Sequence, residues 1–532
     1  MLNYSKIQMQ VKSLFKGATF FYIVVFIVLL VGFGLRIFYL EQYPLAANQD
    51  ELSNIYDGYS IAETGADRWG QKYPMILRAF GAYDYRPPLY AWLSAATIRV
   101  FGFSLYSGRL VSALLGCASL ILIYVLAKRI GGKLFALLTL LVATFSPWHI
   151  LFSRIASEGT MLPPFFLISA CYLWQKSKDN YYSLTSLIIL GLCIGLGTNT
   201  YQSGKLIFFL STVLFLIDFW KFTKQIVLKT LVFGASCLVG ASPQIISMVA
   251  TPEHFFSRAS ESTVPFSFSF DYFNTLFRNI TSYFTPDYLF FSFKNYSSLS
   301  VGRLLMPEFI AFYVGLFFLY KVFNKTQAIK PIYFYILLII AVLPSTLTRD
   351  NPHALRSSCL IVLLPFITAT GIIIIHRQLS NSLVKSSFLA LTFIAIIWNG
   401  IFYVRTYIKS NELRSHDMQV LLVKACQKLN TYKDDYKNIY MEPLGNQPYI
   451  YTVFYCNIRP QEFQTANKEI NGSSWDDFRK MDKYHFMSTG EIEEQTQNVG
   501  SKTLILLRAK NRNYEVLDSV ENENEKVYFQ RK

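Results

Sequence analysis

Long apolar stretches alternate with short polar loops from residue 19 to residue 407 of the chain. A helix needs about 17 to 25 mostly apolar residues to cross a hydrocarbon core about 30 Å thick, and most of these stretches have that length. The pattern predicts a polytopic α-helical membrane protein with about eleven transmembrane helices. Their predicted bounds are 19–40, 105–127, 132–146, 159–175, 182–198, 204–220, 227–249, 308–323, 331–347, 355–375 and 385–407.

Basic residues are concentrated in alternate short loops, as they are on the cytoplasmic side of membrane proteins. Lysine or arginine occurs in 1–18, 128–133, 176–178, 221–229, 321–330 and 377–385. We therefore expect a multi-pass protein of the plasma membrane with its N-terminus in the cytoplasm. Three long polar regions, 41–104, 250–307 and 409–532, are then expected to share the outer side.

The last of these regions has the composition of a water-exposed domain. Strand-like stretches, namely KNIYMEP, PYIYTVFY, KTLILLRAK and YEVLDSV, alternate with the amphipathic segment SHDMQVLLVKACQKLN. We predict a transmembrane domain over residues 1–408 and a small extracytoplasmic α/β domain over residues 409–532. Cys426 and Cys456 lie in this second domain, and their spacing leaves open whether they form a disulfide.

The composition agrees with a membrane protein and excludes several functions. The 532 residues are 52% hydrophobic and 16% charged, with a mean hydropathy of +0.30, which is too apolar for an ordinary soluble domain. The net charge of +16 comes largely from the basic inner loops, so it does not indicate nucleic-acid binding. The chain has no CxxC, HExxH or phosphate-binding glycine loop, and we expect neither a structural zinc site nor an ATP-driven pump.

Acidic residues cluster directly after the first apolar stretch, in AANQDELSNIYDGYSIAETG (46–65). If residues 50–63 are helical, Asp50, Asn54 and Asp57 share one face, and the helix lies along the outer membrane surface. Ordinary solvated surface acids would give the same pattern. The alternative is that these carboxylates act on a substrate at the lipid boundary.

Two further outer segments carry charges beside membrane helices. In YDYRPPLYAWLSAATIRVFG (83–102), Asp84 and Arg86 precede a Pro-Pro pair that favours the start of a second interfacial helix. In FSRIASEGTML (152–162), Arg154 and Glu158 are four residues apart. Charges at a membrane boundary are costly unless they are paired or used, so these two either form an ion pair with each other or have a function.

The order of these features resembles the GT-C membrane glycosyltransferases, specifically the family-39 type that includes protein O-mannosyltransferases and the lipid A aminoarabinose transferase. The resemblance covers nearly the whole chain. The matching segments are Asp50-Glu51, the run 84–89, Ser153-Arg154 with Glu158, the run 201–205, the run 284–291 and the run 351–357. This chain has Arg86 where the mannosyltransferases have histidine, so their donor and acceptor details do not carry over.

The resemblance implies an inverting glycosyltransferase that moves a sugar from a polyprenyl-phosphate carrier to an acceptor hydroxyl on the outer face. It assigns catalysis to Asp50, with Asp50 as the base, and to Glu51 beside it. Donor-phosphate binding is assigned to Arg86, Arg154, Lys205 and Arg356, and substrate binding or orientation to Asp57, Asp84, Glu158, Tyr201 and His353. The acceptor is a lipid, a protein or a glycan.

We expect no metal cofactor, because clamping cations can stabilise the departing phosphate. Mg²⁺ or Mn²⁺ at the acidic cluster is the alternative. Two other functions remain open at this point. A transporter or lipid-linked-sugar flippase would also have many helices, but inverted repeats and broken helices near the midplane are typical of it. A membrane scaffold would leave the acidic cluster without a use.

Overall fold

The computed structural model describes residues 18–81, 84–220, 225–291, 302–323, 329–413, 419–470, 478–497, 502–522 and 525–532. In its membrane part the helices are, in chain order, α1 (Ala18–Ile37), α2 (Gln49–Thr64), α3 (Leu89–Phe101), α4 (Leu105–Phe145), α5 (Pro147–Phe152), α6 (Leu162–Asp179), α7 (Leu184–Gly197), α8 (Gln202–Phe219), α9 (Ile226–Gly240), α10 (Ser242–Ala250), α11 (Pro252–Ser262), α12 (Phe270–Ser282), α13 (Phe309–Phe318), α14 (Tyr320–Phe323), α15 (Pro331–Thr346), α16 (Leu360–Gln378) and α17 (Ser382–Leu413).

Every predicted membrane span contains a helix, and the protein is a multi-pass membrane protein. Among the described residues, five helices are long and apolar enough to cross a bilayer, namely α1, α4, α8, α16 and α17. The bent pair α9–α10, with an angle of 66°, adds a sixth if it is one span, and α7 and α15 are shorter apolar helices. The second and third predicted spans form the single long α4, which breaks at Gly132.

The membrane helices pack closely where small residues face each other. Gly315 of α13 and Gly371 of α16 lie in the contact between these two helices, and a Cβ on Gly371 would overlap the backbone of Ala311. Lipid tails are as apolar as leucine side chains, so helices in a membrane associate through such close backbone approach rather than through a hydrophobic driving force. The central α4 is mostly buried and contacts α1, α3, α6 and α16.

The C-terminal region forms the predicted α/β domain. Its helices are α18 (Val420–Leu429), α19 (Pro448–Tyr455), α20 (Pro460–Thr465) and α21 (Thr489–Thr496). Its strands are β3 (Asn438–Met441), β4 (Lys468–Ile470), β5 (Phe478–Met481), β6 (Tyr484–Phe486), β7 (Thr503–Leu507), β8 (Glu515–Asn522) and β9 (Glu525–Arg531). They make one sheet in the order β4-β5-β6-β3-β7-β9-β8, in which β3 pairs in parallel with β6 and β7, and the other pairs are antiparallel.

The prediction of a strand at PYIYTVFY is wrong, because this segment is the helix α19. Pro448 stands at the first position of that helix, where proline fits because the amide there needs no partner. The helix is buried on nearly all sides, which removes the polar alternation that distinguishes a helix from a strand. Cys426 and Cys456 are both buried free thiols, with the Cys456 Sγ 3.6 Å from the Cys426 carbonyl oxygen.

The C-terminal domain shares a hydrophobic core with the first outer segment. Tyr56 of α2 donates a hydrogen bond to the Ile458 carbonyl (2.9 Å), and Tyr451 of α19 donates to the Ala47 carbonyl (3.1 Å). Ten residues of the sixteen-residue α2 are buried, so the alternative of ordinary solvated surface acids is wrong. The helix lies between the membrane part and the C-terminal domain. The domain boundary at residues 408 and 409 stays a prediction.

Candidate active site

The acidic pair opens helix α2 and its two members have different surroundings. The side chain of Asn48 caps the helix by accepting a hydrogen bond from the Glu51 amide (2.9 Å). Carboxylates are favourable at a helix N-terminus, where the backbone amides have no helical partners. Asp50 is partly exposed, whereas Glu51 is only 1% exposed. Asp50 is therefore the carboxylate of the pair that a ligand can reach.

Glu51 is held by a buried arginine that the sequence analysis did not select. The Arg109 Nε donates to Glu51 Oε1 (2.7 Å) and the Arg109 Nη2 to Glu51 Oε2 (3.2 Å), while the Ala156 amide also donates to Oε1 (2.9 Å). The remaining Arg109 donors bind backbone carbonyls of the link between α1 and α2, including those of Leu40 (3.0 Å) and Pro44 (2.9 Å). This network fixes the turn that carries Asp50.

Removing either partner of this buried pair is expected to destabilise the protein strongly. Glu51→Ala or Arg109→Ala leaves one uncompensated buried charge, which typically costs roughly 3 to 5 kcal/mol. The control is Arg129→Ala, which breaks a surface pair with Asp179, and such pairs contribute only about 0 to 1 kcal/mol. Denaturant unfolding in detergent measures the free energies. Equal losses of unfolding free energy in all three variants would contradict a structural role for the Glu51–Arg109 pair.

A second buried carboxylate binds two arginines at once. The Arg68 Nη1 and the Arg86 Nη2 both lie 2.8 Å from Asp57 Oδ2, and both arginines also donate to the Ser53 hydroxyl. Arg68 uses its Nη2 on the Ala79 carbonyl. By contrast, the Nε and Nη1 atoms of Arg86 are buried without a hydrogen-bond partner within the described part of the chain. Arg86 is therefore a buried cation that keeps unused donors.

Local structure holds Arg86 against α2. Arg86 ends the short strand β2 (Tyr85–Arg86), which pairs with β1 (Leu77–Arg78), and the following Pro-Pro pair leads into α3. Helices α2 and α3 approach closely at Gly58, where a Cβ would lie 2.6 Å from the Ser94 Cβ. The Gln202 Nε2 of α8 donates to the Tyr85 carbonyl (2.7 Å). These contacts set the position of the guanidinium relative to the acidic face.

Glu158 joins the same cluster, but Arg154 does not pair with it. The Asn54 Nδ2 donates to Glu158 Oε2 (2.6 Å) and to the Asp50 carbonyl (3.0 Å). The Arg154 guanidinium instead binds three carbonyls, one in the last turn of α1 and two in the link between α1 and α2. These belong to Leu35 (3.0 Å), Tyr39 (2.8 Å) and Tyr43 (3.0 Å). The alternative of an ion pair between Arg154 and Glu158 is therefore wrong.

The electrostatics of Arg86 reflect this cluster. Burial lowers the pKa of the Arg86 guanidinium. Three carboxylates raise this pKa by more, those of Glu158, Asp57 and Asp50, so its net shift is upward. The structure thus brings together four of the residues selected from the sequence. They form an acidic cluster around the Arg86 guanidinium, with Arg68 as a second buried cation on Asp57.

Tyr201 and Asp84 adjoin this cluster, whereas Lys205 has another partner. The ring of Tyr201 packs over Gly159, next to Glu158, and Asp84 is buried at the start of the segment that carries Arg86. The Lys205 ammonium lies 3.6 Å from the ring centroid of Phe255 in α11 and donates to the carbonyl of that residue (3.3 Å). No contact among the described residues joins Lys205 to Asp50 or Arg86.

His353 and Arg356 form a separate group in the segment between α15 and α16. The Arg356 Nη1 donates to the Thr348 hydroxyl (2.9 Å), and the His353 amide donates to the Tyr283 hydroxyl (2.9 Å). Within the described ranges, no hydrogen bond or ion pair links this group to the cluster around Arg86. A role for both residues in the reaction stays a prediction.

The stability of the protein is expected to depend on pH through His353. Burial and the neighbouring Arg356 lower the pKa of His353 to about 4, against the opposing effect of Asp350. An unfolded histidine has a pKa of about 6.5. Between the folded and the unfolded pKa, the unfolded state therefore binds a proton that the folded His353 does not bind. Stability falls as the pH drops through this window. The slope is at most about 1.4 kcal/mol per pH unit. Unfolding titrations of the wild type and His353→Gln should differ in this slope, and parallel curves would contradict the assignment.

Sequence reasoning missed Arg109 and Arg68, and one signal was available. Arg109 lies in the apolar stretch of the second predicted span, where a buried charge needs a partner. Arg68 lies in the polar stretch GADRWGQKY (65–73), which gives no such signal. Among the described residues no group of three or more His, Cys, Asp or Glu side chains is arranged to hold a metal ion.

Part of the chain that contributes to the site matches the sequence model of a known protein family. Residues 85–246 match a model described as dolichyl-phosphate-mannose-protein mannosyltransferase. An uncharacterized protein of Aquifex aeolicus (strain VF5) is 26% identical over 209 residues, which are 35% of this chain and 42% of that protein. The match therefore spans less than half the length of this curated relative.

Structure comparison extends the likeness to the whole chain. The crystal structure of ArnT from Cupriavidus metallidurans bound to undecaprenyl phosphate is 13% identical with a TM-score of 0.57, covering 97% of this chain and 98% of that chain. The apo structure of the same protein has a TM-score of 0.54 at 12% identity, covering 96% and 97%. The predicted resemblance and fold class are confirmed: the chain has a GT-C-type membrane fold with a C-terminal sheet domain.

Proposed function

We propose that this protein is an inverting glycosyltransferase that moves a sugar from a polyprenyl-phosphate carrier to an acceptor hydroxyl on the outer face of the plasma membrane. The observation that carries the proposal is the buried Arg86 guanidinium, whose Nε and Nη1 have no hydrogen-bond partner within the described residues, in the same cluster as the partly exposed Asp50. A glycosyl phosphate needs both groups, a cation for its leaving phosphate and a base for the attacking hydroxyl.

Arg86 is suited to hold the carrier phosphate. A guanidinium presents its donors in a planar fork that matches phosphate oxygens, and it stays charged when buried. Asp57 fixes one end of this fork (2.8 Å) and leaves the other two nitrogens for the ligand. The structural likeness to ArnT, which was crystallised with undecaprenyl phosphate, supports a polyprenyl-phosphate carrier as the donor class.

Asp50 is proposed to act as the base. It removes the proton of the acceptor hydroxyl as that oxygen attacks the anomeric carbon, and the bond to the carrier phosphate breaks with its electron pair leaving on the phosphate. A single displacement inverts the anomeric configuration.

Glu51 and Arg154 were predicted to act in catalysis and in phosphate binding. Because Arg109 and the Ala156 amide bind the Glu51 carboxylate, and backbone carbonyls bind the Arg154 guanidinium, we propose instead that both keep the turn that carries Asp50 in place. Asp84, Glu158 and Tyr201 are proposed to adjoin the substrate.

We further propose a metal-free reaction, with a cytoplasmic N-terminus and an extracytoplasmic C-terminal domain. Arg86 supplies the positive charge that a divalent ion would otherwise supply at the leaving phosphate. Lys205 and Arg356 are proposed to assist at the carrier phosphate, and His353 is proposed to orient the substrate. The acceptor hydroxyl belongs to a lipid, a protein or a glycan, and the C-terminal domain packed on α2 is positioned to contact it.

The runner-up function is a transporter or flippase for lipid-linked sugars. The bent pair α9–α10 favours it, because broken helices are typical of transporters. The buried cluster around Arg86 favours the transferase, because a cation with unused donors and a reachable carboxylate are the two groups that glycosyl transfer needs.

One assay separates the two functions. Purified protein in nanodiscs is incubated with undecaprenyl phosphate glucose, galactose or mannose, and release of undecaprenyl phosphate is measured with and without EDTA. We expect release from at least one donor, unchanged by EDTA. Movement of the intact donor across a sealed vesicle without any release would favour the flippase instead.

A further inference from the structure

Asn54 occupies the centre of the acidic face, one turn after Asp50. It is fully buried, and its amide nitrogen donates both hydrogens, to the Asp50 carbonyl (3.0 Å) and to Glu158 Oε2 (2.6 Å). The Asn54 Oδ1 is buried without a hydrogen-bond partner among the described residues. The amide nitrogen of Asn54 thus uses both of its hydrogens, whereas the amide oxygen has no donor among those residues.

A buried acceptor without a donor is costly and therefore uncommon, so the Asn54 Oδ1 calls for a donor that the described residues do not supply. An amide oxygen accepts and cannot donate, so the arriving group must carry an O–H or N–H. The bond from Asn54 to Glu158 holds this oxygen in one orientation. Fixed orientation is what a residue needs in order to distinguish one ligand geometry from another.

The unused atoms of this cluster complement one kind of molecule. Arg86 offers only donors, its Nε and Nη1, and Asn54 offers only an acceptor. Glu158 connects the two, because it binds Asn54 and raises the pKa of Arg86. A ligand that satisfies both needs an anionic oxygen beside a hydroxyl. A glycosyl phosphate has these two groups on one sugar.

We infer that Asn54, held by Glu158, accepts a hydrogen bond from a hydroxyl of the transferred sugar and so determines which sugar is used. The inference rests on the proposed function and adds the sugar class. A sugar carboxylate cannot donate to the Asn54 Oδ1, and the Glu158 carboxylate bound to Asn54 (2.6 Å) would repel it. The donor is therefore a neutral, hydroxylated sugar phosphate rather than a uronic acid. Asn54 is a specificity residue and takes no part in bond making.

The test compares carriers with and without sugar, using the full-length protein in nanodiscs. Dissociation constants are measured for undecaprenyl phosphate alone and for undecaprenyl phosphate glucose, galactose and mannose. Galactose and mannose each differ from glucose in the configuration of one hydroxyl. The variants are Asn54→Ala, Asn54→Asp and the control Ser60→Ala. Ser60 is equally buried in α2, but it faces the C-terminal domain, where its hydroxyl accepts from Gln464 (3.0 Å).

We expect the wild type to prefer one epimer by roughly 10-fold or more, because a site built to bind a hydroxyl discriminates strongly against its misplacement. Asn54→Ala should reduce this preference to about 2-fold or less while its affinity for undecaprenyl phosphate stays unchanged. Asn54→Asp keeps an acceptor oxygen but cannot donate to Glu158, which orients that oxygen, so it should lose the preference as well. Ser60→Ala should behave as the wild type.

Two results would overturn the inference. If Asn54→Ala and Asn54→Asp weaken the binding of undecaprenyl phosphate and of its glycosylated forms by the same factor, Asn54 only supports the fold. If both variants keep the full preference for one epimer, another residue determines the sugar specificity. If the wild type binds no undecaprenyl phosphate at all, the proposed function itself is refuted. The measurement with undecaprenyl phosphate alone distinguishes that case from a failure of the inference.

Discussion

Asp50→Asn is expected to abolish sugar transfer while the protein still folds and inserts. Asparagine has nearly the shape of aspartate but cannot take up the proton of the acceptor hydroxyl. Loss of a general base typically lowers the rate by roughly 10² to 10⁴-fold. Because Asp50 is partly exposed at the first turn of α2, the change leaves no buried charge behind. The rate should therefore fall far more than the stability.

Single-turnover transfer in nanodiscs measures this effect. The enzyme is in excess over the donor, at a concentration above the dissociation constant of the donor, so that binding is not limiting. The control is Glu63→Gln, which neutralises an exposed carboxylate near the end of the same helix. Glu63→Gln should transfer at the wild-type rate. Retained transfer by Asp50→Asn would remove Asp50 from the mechanism.

Arg86→Lys is expected to weaken use of the donor although the positive charge remains. Lysine can still pair with Asp57, but it lacks the planar fork whose Nε and Nη1 are proposed to hold the phosphate. Removal of one such stabilising donor group typically costs roughly 10² to 10³-fold in rate. We expect a loss of this size in kcat/KM for the donor, and a larger one for Arg86→Ala.

The matched control is Arg99→Lys in α3, where the arginine is on the surface and donates to the Ala62 carbonyl (3.1 Å). It should change neither donor kinetics nor stability. If Arg86→Lys leaves the donor kinetics unchanged, the phosphate lies elsewhere, and the group around Arg356 becomes the first place to look. A fall in stability without a change in kcat/KM would assign Arg86 a purely structural role.

The membrane helices could be predicted from sequence because span length and apolar composition are local properties. The acidic face of α2 was also predictable. Asp50, Asn54 and Asp57 follow helical spacing, and the structure buries Asn54 and Asp57 on the face that meets Arg86 and Glu158. Helical periodicity places side chains on a face, but it does not say what covers that face.

The covering of α2 could not be predicted, because it comes from residues about four hundred positions away. The bond from Tyr56 to Ile458 spans 402 residues, and the three bonds of Gln464 reach back to Ser60, Thr64 and Asp67. Such contacts depend on tertiary packing that no local pattern encodes. For the same reason α19 was predicted as a strand, since burial on all sides hides its helical period.

The partners of the buried charges were the second gap. Spacing suggested that Arg154 and Glu158 pair with each other, but Arg154 binds backbone carbonyls and Glu158 binds Asn54. A backbone carbonyl can satisfy an arginine as well as a carboxylate can, and every residue has one. Sequence therefore indicates which charges need partners at a membrane boundary, but not which partners they find.

The most direct test is the structure of Asp50→Asn, which binds donor without consuming it, with an undecaprenyl phosphate hexose in a nanodisc. The proposed function predicts that phosphate oxygens accept hydrogen bonds from the Arg86 Nε and Nη1 and that the anomeric carbon faces residue 50. A donor phosphate bound away from Arg86, with the sugar outside the cluster of Asp57 and Glu158, would contradict it.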